Sequence, residues 1–203
     1  MKTLSNISPI FNLTALNEKS TEVGLHQIII SADLQHQKTC PKCGGSHLRR
    51  TTKNSRLLHL PPVGRKKCML EVIVQKRHCM HCSSKWWPSL PFAKGKERMT
   101  HSFKNYALDL LQFGTIQDVA KHLGVSWDVI KGIHKEYLLK KYEKVELENI
   151  EYLSIDEFSI AKRHRYMTIF VDISKGRIVH AVEGRKKKEL QPFLEEVKKK
   201  PWV

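Results

Sequence analysis

The chain turns on two short stretches, Cys40-Pro41-Lys42-Cys43 and Cys79-Met80-His81-Cys82, separated by the 35 residues 44–78. Two Cys-x-x-Cys knuckles at this separation offer a metal ion four soft thiolates in a tetrahedron, each knuckle gripping it from one side. The intervening residues read as strands. Leu57-Leu58-His59-Leu60 leads into Pro61-Pro62-Val63-Gly64, which reads as a turn. Beyond it, Leu70, Val72 and Val74 alternate with polar neighbours along a strand that runs straight into the second knuckle. The layout is that of a zinc ribbon over 36–90, with Cys40, Cys43, Cys79 and Cys82 binding Zn²⁺ structurally. Two disulfides or redox thiols would use the same cysteines, but disulfides belong to secreted chains. Residues 1–20 hold no apolar signal core. Cys68 enters a strand alone and reads as a small buried apolar group. His78 and His81 flank a site whose four positions are already filled.

Working outward, the 203 residues accommodate two or three small domains. Lys and Arg total 36 against 20 acids, a net charge of +16. Such an excess points to a polyanionic partner, nucleic acid ahead of membrane. No apolar run approaches the length of a membrane span, and the expectation is a cytoplasmic, nucleoid-associated protein. Residues 1–35 read as a lead containing one strand, around 23–32. After the ribbon, Trp86 and Trp87 read first as caps on its small core and second as platforms for bases. Lys94, Lys96 and Arg98 form a basic linker suited to phosphates.

From Thr100 the apolar period becomes helical. Phe103, Tyr106, Leu110 and Phe113 share a stripe that Gly114 ends. Thr115 then caps a second helix, with Asp118 at the reciprocal position of a capping box. Gly124 closes it, and a third helix follows over 125–135. A small residue at 120, a glycine at the corner and the Val129/Ile130 pair are helix-turn-helix grammar, placed over 99–137. The last helix would carry Ser126, Trp127, Lys131 and Lys135 toward duplex DNA. Arg49, Arg50, Arg65, Lys66 and Lys67 would join the linker on phosphates. An ordinary helical hairpin is the plainer alternative.

Residues 138–149 read as a charged helical connector, and a third module opens at 150–203. Strands are expected over 151–158, 165–172 and 177–183, with a hairpin turn at Ser174-Lys175-Gly176 and a helix over 188–197. The whole is a multidomain α+β chain: a β zinc ribbon, an all-α helix-turn-helix, and an incomplete ribonuclease-H-like α/β module. Asp156 sits mid-strand, where a carboxylate among apolar residues is costly unless it meets a cation. Glu157, its neighbour, points to the opposite face. Asp172, at the end of a strand, suits a structural role at the hairpin.

The order of modules resembles the N-terminal part of bacterial insertion-sequence transposases of the ISL-three type. So does the pattern Ile155-Asp156-Glu157-Phe158, Tyr166-x-Thr168-x-x-x-Asp172, Gly176-Arg177, then Gly184-Arg185 with Leu190 and Phe193. The resemblance implies a DDE-type active site holding Mg²⁺, with Asp156 as the first of three acids, and a DNA partner bearing terminal inverted repeats. Assembly of several copies is implied in the same way. The family's other two acids lie downstream of the last expected helix, so the chain reads as a truncated transposase that recognises DNA but does not cut it alone. A non-enzymatic DNA-binding regulator and an RNA-binding zinc ribbon are the competing functions.

Overall fold

The computed structural model describes residues 8–35, 37–142, 147, 150–161 and 165–199. The chain divides into two compact units, Met1–Glu136 and Tyr137–Val203.

In the first unit a 3₁₀ turn, Ser8–Phe11, precedes β1 (Leu16–Val23) and β2 (Gln27–Leu34). The long hairpin β3 (Leu48–Val63) and β4 (Lys66–Cys79) follows, then the two-residue β5 (Lys85–Trp86). The sheet order is β1-β2-β4-β3, with β5 on β4, and β2 runs parallel to β4. The knuckles therefore close one end of a five-stranded sheet. Residues 16–34 supply two of its strands, whereas a lead with a single strand was expected.

Register explains the core. Ile28, Cys68 and Leu60 lie in one row across β2, β4 and β3, and Ile30, Leu70 and Leu58 lie in the next. All six are buried. Burying such side chains stabilises by about 1.5–3 kcal/mol each, so strand alternation and cross-strand pairing act on the same residues. Cys68 is 1% exposed within this cluster, the place expected for it.

Two expectations fail here. Pro61 and Pro62 lie inside β3 rather than in a turn, and the chain reverses at Gly64, whose φ is +58°. β3 is an edge strand whose register slips between Leu60 and Val63, so prolines without N–H groups cost it no ladder bond. Trp86 and Trp87 do not cap the core: Leu90, Phe92 and Ala93 cover it together with Phe11 and Leu13. Trp87 stays 44% exposed, and the Trp86 indole donates to Gln37 Oε1 at 3.1 Å.

The helical part is strapped to the edge of the sheet. His59 N–H donates to the Arg98 carbonyl, and Thr100 returns both its amide and its hydroxyl to the His59 carbonyl (3.1 and 2.9 Å). The Thr100 hydroxyl also accepts from Phe103 N–H, capping α1 (His101–Leu110). Helix α2 (Ile116–Leu123) begins with the expected capping box, Thr115 and Asp118 bonding reciprocally. It ends at Gly124 in the left-handed region, φ +63°. Helix α3 spans Trp127–Lys141, longer than the segment expected. Phe103, Ala107, Val119, Ala120, Leu123, Ile130 and Ile133 are buried between the helices. Phe113 is not. It lies beyond the end of α1 and is 89% exposed, because the helix stops before its stripe reaches that position.

In the second unit β6 (Leu153–Ala161), β7 (Arg165–Asp172) and β8 (Arg177–Glu183) form an antiparallel meander. Helix α4 (Lys187–Lys198) follows and packs on it through Phe193. The Phe193 ring lies 4.5 Å from that of Phe170 and stacks on His180 at 4.2 Å. Residues 143–146, 148 and 149, half of the connector read as charged, lie outside the described residues.

Candidate metal centre and nucleic-acid interface

The four knuckle cysteines converge. Their sulfurs all lie within 4.8 Å of one another. Cys40 Sγ is 3.7 Å from Cys82 Sγ, and Cys43 Sγ is 3.6 Å from Cys79 Sγ. A tetrahedron with Zn–S bonds of about 2.3 Å has edges of roughly 3.8 Å, so the closest pairs already stand at the spacing a metal ion such as zinc requires. The hairpin makes this possible: pairing of Leu48 with Cys79 draws the first knuckle alongside the end of β4.

Each knuckle closes in the same way: Cys40 N–H donates to the Gly45 carbonyl and Cys79 N–H to the Ser84 carbonyl, both at 2.9 Å, and Gly44 takes φ +72°. The equivalent position after Cys82 is Ser83, which takes φ +57° despite its side chain. The Ser84 hydroxyl then sits 3.4 Å from Cys40 Sγ and 3.2 Å from Cys82 Sγ. Its hydrogen bond brings the Cys40 thiol down to about 6 and lowers Cys82 also. Cys43 goes the other way, to about 12. The Gly45 amide favours its thiolate, but the sulfurs of Cys82, Cys79 and Cys40, together with burial, outweigh it. Thiolates packed this closely repel one another, and a bound cation such as zinc would offset that charge. Ser84 escaped sequence reasoning; its only signal is its place two residues beyond the second knuckle.

The expected nucleic-acid contacts scatter over one surface class but not one role. On α3, Trp127, Lys131 and Lys135 are exposed, with Ser126 exposed just before the helix. Lys131 Nζ stands 4.6 Å over the Trp127 ring. Arg65, Lys66 and Lys67 occupy the tip of the β3–β4 hairpin; Lys66 Nζ donates to the Gly24 carbonyl at 2.6 Å. Lys94 is held by Glu136 at 2.7 Å, while Lys96 and Arg98 are exposed. Glu136 also binds Lys104 at 2.8 Å, and these two lysines hold its carboxyl at about 2.

In the second unit Asp156 stands mid-strand on β6, exposed, its Oδ1 accepting from Glu157 N–H at 2.8 Å. Asp172 is fully buried and accepts from Lys175 N–H (3.2 Å) and Arg177 Nε (3.4 Å), so it braces the β7–β8 hairpin. Among the described residues only the four cysteines gather three or more metal ligands. Among the described residues no second and third acid gather with Asp156 into such a cluster.

With this geometry in place, two family models account for the helical and terminal modules. The helix-turn-helix domain of transposase family ISL3 matches residues 88–138, and a transposase domain model matches 153–202. Two separate segments of the chain are thus similar to ISL3-family transposases, one over 88–138 and one over 153–202. It is 25% identical over 158 residues to the transposase for insertion sequence element IS1001 of Bordetella parapertussis, covering 78% of this chain and 39% of the relative. The transposase for insertion sequence element IS1557 of Mycobacterium tuberculosis is 25% identical over 108 residues, 53% of this chain and 24% of the relative. The chain thus spans well under half the length of the curated relatives it matches. No solved structure matches at a comparable level. Among the described residues no helix is long and apolar enough to cross a membrane.

Proposed function

We propose that the chain is the DNA-recognition part of an insertion-sequence transposase, acting in the bacterial cytoplasm on duplex DNA that carries the element's terminal inverted repeats. The observation that carries this reading is the corner at Gly124. It sets Ser126, Trp127, Lys131 and Lys135 on the solvent side of α3 while Ile130 and Ile133 anchor the helix from below. That is how a recognition helix is offered to the major groove. Zinc at Cys40, Cys43, Cys79 and Cys82 holds the sheet end that carries Arg49 and Arg50. Arg65, Lys66, Lys67, Lys94, Lys96 and Arg98 supply phosphate contacts. Asp156 is the first acid of the DDE site, which other carboxylates complete.

The test is binding of the zinc-loaded chain to duplexes bearing the element's ends and to scrambled duplexes. Lys131→Ala and Trp127→Ala should narrow the preference between them, each direct base contact being worth about 1–3 kcal/mol. Equal affinity of the wild-type chain for both duplexes, or tighter binding to single-stranded RNA, would overturn the reading.

A further inference from the structure

A cleft of about 320 Å³ lies where the β3–β4 hairpin tip meets the corner between α2 and α3. His59, Arg65, Lys67 and His122 line it, Phe103 and Leu123 are among its apolar residues, and among the described residues no carboxylate lines it. Lys67 is the pivot. Its side chain occupies the space beside Gly124 that a Cβ would take, so its ammonium lies against the turn that leads into α3. His59 is half-buried against the Phe103 ring, 5.5 Å between centroids. Burial first, then the charges of Lys67 and Arg98, hold its imidazole below the usual range. Nearby basic residues differ: Lys94 and Lys104 are ion-paired with Glu136, and Lys66 Nζ donates to the Gly24 carbonyl.

Resting on the reading of α3 as a DNA-recognition helix, we infer that this cleft is a built phosphate site. It takes one backbone phosphate of the duplex whose groove α3 enters. Clustered cations without an acid are unfavourable until an anion arrives, and a histidine-lysine-arginine lining suits a phosphodiester. The position fits as well, since a phosphate held at Gly124 flanks the N-terminal end of α3. The zinc-bearing sheet and the helix-turn-helix then grip DNA as one surface, with the hairpin tip fixing how deeply and in which register α3 docks.

The experiment compares duplex binding of the zinc-loaded 203-residue chain with its Lys67→Gln variant between 50 and 200 mM salt. Lys19→Gln, on β1, serves as the charge-matched control. Loss of one phosphate contact should make the slope of log affinity against log salt shallower by about one unit. The wild-type chain then loses about fourfold more affinity across that range than Lys67→Gln does. The weakening should be equal for end-bearing and scrambled duplexes, with Lys19→Gln keeping the wild-type slope. An unchanged slope for Lys67→Gln overturns the site. Should the wild-type chain bind no duplex, the recognition reading fails, and inorganic phosphate decides the site separately. Saturable shifts of the His59 and His122 imidazole resonances, absent in Lys67→Gln, support it; unshifted resonances overturn it.

Discussion

Chelation should fray one end of the sheet and spare the rest. The buried cluster on β4 ends at Val74, and the first knuckle cysteine on β4 is Cys79, five residues or about 17 Å further on. Beyond the register slip between Arg50 and Lys53, only three pairs continue the β3–β4 ladder: Arg50 with Arg77, Arg49 with His78, and Leu48 with Cys79. Net hydrogen bonding of about 1 kcal/mol per bond gives that stretch a few kcal/mol. That is too little to offset the conformational entropy of ordering both knuckles, so this end depends on the binding energy of a structural metal. The rows built on Ile30, Leu58 and Leu70 depend instead on apolar burial. Hydrogen exchange read by mass spectrometry, before and after a strong chelator, separates the two regions. Amides in 40–50 and 76–86 should lose protection, while those in 57–60 and 68–74 keep theirs. Loss of protection through 57–74, or none anywhere, would refute this reasoning.

Further outcomes follow from single residues. Thr115→Ala removes one half of the capping box on α2 and should lower stability by about 1 kcal/mol, read from the denaturant midpoint. Gly124→Ala places a side chain at φ +63° and drives Lys67 from the turn, so it should cost about 1–2 kcal/mol and weaken duplex binding together. Glu136 is held at about 2 by Lys104 and then Lys94. A depressed carboxyl contributes stability above its unfolded value, lost as pH falls toward the folded one, here from about 4.5 to about 2. Because the Glu136 side chain is 45% exposed, the effect is at most about 1 kcal/mol. Glu136→Gln should therefore be less stable than wild type at pH 6 and nearly equal to it at pH 2.

Local chemistry was the legible part of this chain. The cysteine spacing, the Thr115–Asp118 box, the glycine corner and the three short strands from 153 onward are all written within a few residues of where they act. What escaped was set by contacts distant in sequence. The parallel pairing of β2 with β4 joins residues 40 positions apart, and nothing in Ile28–Ile30 names its partner. Prolines 61 and 62 read as a turn because an edge strand is not visible until the sheet is assembled. Trp86 and Trp87 outrank Leu90 and Phe92 in apolar area, yet the short β5 holds Trp86 against β4, away from the core. At the site, the cysteines and the face of α3 were readable, whereas the cleft was not: Lys67 reaches Gly124 only after hairpin and helices have docked through His59 and Thr100.

On the function proposed here, a metal-clamped sheet and a helix-turn-helix bind duplex DNA together. Metal content and duplex binding, measured on one preparation of the 203-residue chain with and without chelator, test this. One zinc per chain is expected, with salt-sensitive binding that weakens when the metal is withdrawn. A chain that carries no zinc yet binds duplex DNA unchanged would contradict it.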